Sequence, residues 1–155
     1  MKGRQQEKYH LSIAGEFFVA AELHRRGVTA AVTYGNAKQA DVVAFSEANG
    51  KVVVVEVKTT SQKQWVVGGH VPAPSGRPWV FVYLPTKHGE GPCYYVLTQK
   101  ELHDVLAPID AEYFRKYKEK HGKEYGDKPG VTSLSRDQAE GFLNKWEKII
   151  GQLSS

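Results

Sequence analysis

The sequence predicts an α/β domain in which a central mixed β-sheet of about five strands is flanked by helices and followed by C-terminal helices. The chain has 155 residues, which suits one domain with a hydrophobic core. A segment of helical periodicity comes first, several strand-like segments follow, and helical patterns return at the end. We therefore expect residues 1–155 to form a single domain, with a core at 9–107 and a C-terminal helical extension at 108–155.

The first helix is predicted to begin at Tyr9 or Leu11 and to end at Arg26, where Gly27 is placed to terminate it. The eight residues before it are polar and are expected to be loosely held. Apolar residues recur at helical spacings around Glu16, which puts this carboxylate within the inward-facing stripe of the helix. A glutamate in that position either reaches past the edge of the core to water or has a function.

Strand-like segments rich in β-branched and aromatic residues occupy the middle of the chain. The run VVVVEV is apolar on both faces, so its strand is expected to be central and covered on both sides. Glycines and prolines between 68 and 78 predict a flexible connection. The predicted strands are Val28–Tyr34, Ala40–Phe45, Lys51–Thr60, Trp65–Val67, Trp79–Leu84 and Cys93–Leu97.

Two capping signatures organise the C-terminal part. Thr98 with Glu101 predicts the start of a helix. Pro108 is expected to interrupt that helix, and a new segment is expected to begin there. A polar loop is predicted at 122–130. Ser135 with Gln138 then predicts one final helix, whose apolar face is formed by Phe142, Leu143, Trp146, Ile149 and Ile150.

Composition narrows the classes of function. The net charge of +4 and the isoelectric point near 9.1 favour a polyanionic partner. The single cysteine, Cys93, excludes a disulfide framework and a thiolate zinc cluster. No apolar run approaches the ~20 residues of a membrane span, and no signal-peptide pattern follows the basic N-terminus. We expect a cytoplasmic protein that does not enter a membrane.

The segment from Gly35 to Gln62 contains a hairpin, which Asn49-Gly50 predicts. A two-residue loop there would place Asp41 opposite Lys58, whereas a four-residue loop at 47–50 would place it opposite Glu56. Side chains two apart in a strand share a face, so either register puts Asp41, Glu56 and Lys58 together. Two carboxylates and an ammonium group therefore converge at one end of an apolar hairpin.

These residue types suit a hydrolytic centre that acts on a phosphodiester. Carboxylates on neighbouring strands, with backbone carbonyls nearby, suit a hard cation such as Mg²⁺ or Mn²⁺. Such an ion polarises phosphoryl oxygens and stabilises the leaving oxygen, and a neighbouring lysine such as Lys58 can orient water or balance charge. Glu16 could approach from the helix as a further metal contact or as a base.

The same residues resemble the PD-(D/E)XK nuclease superfamily, whose aspartate maps to Asp41, second acid to Glu56, lysine to Lys58 and helix glutamate to Glu16. The layout over residues 11–62 is similar to the restriction-endonuclease-like core, as in archaeal Holliday junction resolvases. GEFFVAAELHRRG, GNAKQADVVA, EVKTTSQKQW, FVYLP and YYVLTQKEL also look like a group of small bacterial proteins of this superfamily. That group often has Gln before x-Lys, where this chain keeps Glu56; Ala40 stands in place of the motif's proline, a departure that the superfamily tolerates.

This resemblance implies a Mg²⁺-dependent (or Mn²⁺-dependent) endonuclease acting on duplex or branched DNA. Asp41, Glu56 and Glu16 would bind the metal, and Lys58 would act on water and phosphate. A core of this size usually needs a partner to grip a duplex, which a homodimer would provide. Residues that flank the motifs are expected to contact phosphates: Lys38, Thr60, Gln62 and Lys63.

Other interpretations remain open at this level. The fold could serve as a catalytically silent module that binds nucleic acid or protein, with Asp41 and Lys58 as a structural ion pair. Trp65 is more readily a core residue than a platform for a base. The basic and aromatic segment Tyr113–Lys120 could follow a phosphate backbone or form a solvated helix face.

Overall fold

The computed structural model describes residues 2–33 and 41–155. It contains four α-helices and seven β-strands within those ranges. In chain order they are α1 (Lys2–Arg25), β1 (Thr29–Val32), β2 (Val42–Phe45), β3 (Val52–Thr60), β4 (Gln64–Gly68), β5 (Pro78–Tyr83), β6 (Cys93–Thr98), α2 (Gln99–His121), β7 (Thr132–Ser135), α3 (Arg136–Ala139) and α4 (Glu147–Ser154), with a 3₁₀ turn at Glu140–Phe142.

Five strands form a mixed sheet in the order β1-β2-β3-β5-β6. Strands β3 and β5 run parallel, and the other neighbours are antiparallel. The valine-rich β3 is the middle strand. The predicted α/β class, with a mixed five-stranded sheet and flanking helices, is confirmed.

Each face of the sheet supports its own hydrophobic core. On one face, α1 packs Val19 and Leu23 against valines of β2, β3 and β5. On the other face, the first half of α2 and strand β4 cover the aromatic side chains of β5 and β6. Trp65 is 1% exposed there, and its indole N–H donates to the carbonyl of Val82 at 2.9 Å. Its interpretation as a core residue is therefore correct.

The N-terminal segment differs from its prediction. Residues 2–8 belong to α1, so the expectation of a loosely held start is wrong. The segment has no apolar side chain to bury, and residues 3–8 are all exposed. Arg4, Gln5, Gln6, Glu7 and Lys8 are strong helix formers, and their propensity extends the helix without an apolar face.

Helix α2 continues through Pro108, so the predicted interruption at that residue is wrong. The Thr98–Glu101 capping box is confirmed and starts the helix. Leu102 and Leu106 anchor it on the core, and good helix formers follow the proline. These contributions outweigh the hydrogen bond that a proline removes. The helix ends where Gly122 adopts a left-handed conformation with φ 68°.

The C-terminal extension is not purely helical, in contrast to the prediction. Strand β7 pairs with β4 to form a separate two-stranded sheet, in which Leu134 lies opposite Trp65. The Ser135–Gln138 capping box is confirmed, but the helix that it opens ends at Ala139. Leu143 then bridges to Tyr95 of β6, and the strand contact prevents one continuous helix.

Strand β3 is covered unevenly. Val53, Val55 and Val57 are buried under α1, but on the opposite face Val52 is 61% exposed. Glu56 and Lys58 share that second face and are only partly covered. The expectation that both faces are covered is therefore wrong: the most exposed part of β3 is its hairpin end at Val52, and Glu56 and Lys58 further along are partly exposed. Within the described residues, no helix has the length and apolarity to cross a membrane.

Candidate active site

The hairpin between β2 and β3 has a four-residue loop at 47–50. Ser46 N–H donates to the carbonyl of Lys51 at 2.9 Å, and Val42 pairs with Val55. Gly50 takes the left-handed conformation, with φ 72°. Continuing this register by one residue places Asp41 opposite Glu56, the second of the two alternatives open from sequence.

Asp41 is held from both neighbouring strands. Its backbone carbonyl accepts a hydrogen bond from the N–H of Thr33 at 3.0 Å. Its carboxylate Oδ2 accepts one from the backbone N–H of Val57 at 2.9 Å. These bonds fix the carboxylate at the point where the ladder between β2 and β3 ends, so its position depends on the sheet itself.

Glu16 reaches this carboxylate from α1. Burial, the charge of Asp41, a hydrogen bond shared with the Asp41 carboxyl and the charge of Glu56 together raise the pKa of Glu16 to about 7. The inward-facing position predicted for Glu16 therefore places its carboxylate beside Asp41 and near Glu56. Near neutral pH this side chain exchanges its proton readily, a property needed in a general base.

Glu56 lies between two cations. Lys58 Nζ is 4.0 Å from its Oε1, and a guanidinium nitrogen of Arg77 is 4.0 Å from its Oε2. Burial raises the pKa of Glu56, as does the charge of Asp41, whereas Lys58 and Arg77 act in the opposite direction. Sequence reasoning missed Arg77, because it lies in the Gly- and Pro-rich connection and no local pattern marks it.

Helix α1 approaches β3 closely at Gly15. A Cβ atom there would lie 1.8 Å from the hydroxyl oxygen of Thr59 and 2.8 Å from its Cβ. Only glycine allows this contact, which brings the following residue, Glu16, to the end of the hairpin. The Thr59 hydroxyl is buried without a hydrogen-bond partner.

The residues predicted to contact phosphates occupy different environments. Gln62 and Lys63 are exposed in the turn after β3. Thr60 is buried, 8% exposed, and its hydroxyl accepts a hydrogen bond from the N–H of Gln62 at 3.1 Å, which shapes the turn. Lys38 lies outside the described residues. Contact of any of these residues with nucleic acid stays a prediction.

The basic and aromatic segment is the exposed second half of α2. Phe114 stacks on Tyr125, with ring centroids 5.1 Å apart, and Tyr117 packs edge-on against the same ring. Lys128 lies 4.8 Å from the Tyr125 ring centroid. The rings therefore pack mainly on one another, and a path for a phosphate backbone along this face stays a prediction.

Glu16, Asp41 and Glu56 are the candidate ligands for a cation at this site. Among residues 2–33 and 41–155, no three or more His, Cys, Asp or Glu side chains are gathered into a group that could hold a metal ion. Glu16 and Asp41 share a hydrogen bond, and Glu56 faces Lys58 and Arg77. The donor chemistry nevertheless fits Mg²⁺ or Mn²⁺, since three carboxylates supply oxygen ligands and their mutual repulsion favours a cation.

The raised pKa of Glu16 predicts a pH-dependent stability. Between its ordinary value of 4.5 and about 7, the folded protein holds a proton that the unfolded chain has released, so the free energy of unfolding falls as pH rises. Glu16→Gln should therefore melt at a higher temperature than wild type at about pH 8, and the difference should vanish near pH 4. Thermal melts in metal-free buffer measure this.

Glu22→Gln on the same helix is the control of opposite sign. Burial raises the pKa of Glu22, but hydrogen bonds from Arg26 and Arg25 lower it by more. The contribution of Glu22 to the free energy of unfolding is therefore present above its ordinary pKa and is lost as the pH falls. A Glu16→Gln melting temperature that tracks wild type across the whole range would show that the folded protein does not raise the pKa of Glu16.

Searches against protein families and against curated proteins return no match for this chain.

Proposed function

We propose that the protein is a Mg²⁺-dependent endonuclease that hydrolyses DNA phosphodiester bonds, with a restriction-endonuclease-like core of the PD-(D/E)XK type. One observation carries this proposal. Glu16 shares a hydrogen bond with the Asp41 carboxyl, and Glu56, whose pKa the charge of Asp41 raises, faces Lys58 on the central strand. The residues implied by the resemblance come from separate elements, and a cation bound among the three carboxylates would relieve the repulsion between them.

The rival explanation is a structural ion pair in a catalytically silent module. In its simplest form Lys58 would neutralise Asp41, but in the described contacts Asp41 bonds to Val57 and Glu16, while Lys58 lies beside Glu56. These contacts speak against that pair, whereas a wider structural network of the acids with Lys58 belongs to the same rival. A silent module that binds nucleic acid or protein remains the alternative that the experiment must separate.

Each side chain has a distinct task in the proposed mechanism. Asp41, Glu56 and Glu16 would hold Mg²⁺ or Mn²⁺, which when bound supplies positive charge at the phosphodiester. Lys58 donates hydrogen bonds to a phosphate oxygen and balances the charge that develops there. Glu16, with a pKa of about 7, accepts a proton from the attacking water if it is not occupied by the cation.

The proposal extends to the setting in which the protein works. Its basic isoelectric point near 9.1 favours a DNA partner. The cytoplasm suits that substrate and the single cysteine. A homodimer would place two such sites along one duplex and extend the contact beyond a core of this size.

A cleavage assay tests the function. We expect the wild-type protein to cut at least one of plasmid, four-way junction or single-stranded DNA when Mg²⁺ or Mn²⁺ is present, and not in EDTA. Asp41→Asn, which keeps the size of the side chain and removes its charge, should lose this activity. DNA binding by the wild type without cleavage of any substrate would support the silent module instead.

A further inference from the structure

Arg77, which no sequence pattern indicated, lies next to Glu56 at the candidate site. It directly precedes β5, whose Trp79 pairs with Glu56 of β3. Its guanidinium and the ammonium of Lys58 lie on either side of the Glu56 carboxylate, each at 4.0 Å. The side chains of Arg77 and Lys58 are 39% and 34% exposed, so both cations also face solvent.

The backbone of Arg77 is fixed, although it lies in a stretch rich in glycine and proline. Its carbonyl accepts a hydrogen bond from the N–H of Gln99 at 2.8 Å, and its own N–H donates to the Ser75 hydroxyl at 3.3 Å. Ser75 in turn accepts from the N–H of Lys100 through its carbonyl. These bonds tie the loop to the first turn of α2, so the guanidinium projects from a rigid base.

We infer that Arg77 is a phosphate-binding residue of the proposed nuclease and contacts the DNA backbone beside Lys58. This inference rests on the proposed function. A DNA phosphate that approaches Glu16, Asp41 and Glu56 meets three carboxylates, and cations on the approach side reduce that repulsion. A guanidinium is suited to this task, because it stays charged and its planar donors match two phosphate oxygens.

The contact between Arg77 and Glu56 adds little to the stability of the fold. At 4.0 Å it is at the outer limit of an ion pair, and partly exposed pairs contribute little to stability. Lys58 lies at the same distance from Glu56, so two cations border this carboxylate where the substrate phosphate would enter.

DNA binding by Arg77→Gln and Arg77→Lys tests the inference. Fluorescence anisotropy of a labelled duplex and of a four-way junction would be measured in Ca²⁺ over a series of salt concentrations. We expect Arg77→Gln to raise the Kd about tenfold, the loss of one charge-assisted hydrogen bond. The slope of log K against log salt should fall by about 0.9, for one lost phosphate contact. Arg77→Lys should keep the slope and raise the Kd about threefold.

Arg25→Gln is the matched control. Its side chain is 76% exposed, and nine residues of helix put it about 14 Å from Glu16 along the axis. An unchanged Kd and slope in Arg77→Gln, in a preparation whose wild type binds and cleaves DNA, overturns the role of Arg77 and leaves the nuclease standing. Loss of folding in both Arg77 variants would also overturn it, since the residue would then be structural. A wild type that neither binds nor cuts DNA would remove both proposals.

Discussion

Lys58→Met is expected to lower the rate of DNA cleavage by about 10²–10³-fold, the cost of removing one donor that stabilises developing charge. The methionine keeps much of the length of the lysine stem, so packing on the sheet should change little. Metal binding should persist, because the carboxylates of Asp41 and Glu56 remain in place. Single-turnover cleavage and a metal titration of the same variant measure the two effects separately.

Lys51→Met is the matched control for this change. Lys51 immediately precedes β3, is exposed, and lies at the hairpin loop, away from Glu56. The Lys51→Met variant loses the same positive charge away from the site, so its cleavage rate should match that of wild type. Equal activity in Lys58→Met and Lys51→Met would contradict a catalytic role for Lys58.

Gly15→Ala is expected to destabilise the protein although alanine is the better helix former. The new Cβ would lie 1.8 Å from the Thr59 hydroxyl oxygen and 2.8 Å from the Thr59 Cβ, so α1 or β3 must shift. Overpacking of this kind costs about 1–3 kcal/mol, which exceeds the gain in helix propensity of about 1 kcal/mol. The shift should also move Glu16 away from Asp41 and lower activity. Denaturant unfolding and the cleavage rate measure these effects.

Two further variants separate this clash from a general effect of alanine. Gly3→Ala lies in the same helix with open space around it, so it should be neutral or stabilising by up to about 1 kcal/mol. Thr59→Ala removes the closest atom and an unpartnered hydroxyl, and should partly rescue Gly15→Ala with a coupling of about 0.5–3 kcal/mol. Additive effects of Gly15→Ala and Thr59→Ala would contradict the close contact.

The sequence predicted those parts of the fold and site that depend on local signals. Both capping boxes rely on residues three apart, and the hairpin relies on a turn motif. The convergence of Asp41, Glu56 and Lys58 followed from strand periodicity under either loop length. The choice between the two registers depends on the conformation of the loop itself, in which Gly50 is left-handed.

Contacts between distant segments account for what the sequence could not supply. Strand β7 exists because it pairs with β4, some seventy residues earlier by the register Trp65↔Leu134. Leu143 leaves the helical path to bridge Tyr95. Arg77 lies near Glu56 because hydrogen bonds from α2 position its loop. Position 15 requires glycine because Thr59 of β3 packs directly against it. Periodicity along one segment carries no information on such pairings.

The most direct test of the central claim is a calorimetric titration of wild type and Asp41→Asn with Mg²⁺ and Mn²⁺, alone and with bound DNA. If the carboxylates form a metal centre, the wild type should bind the ions and Asp41→Asn should lose most of that binding while it remains folded. Absence of binding to the wild type at about millimolar metal, even with DNA present, would contradict a metal-dependent nuclease and favour the silent module.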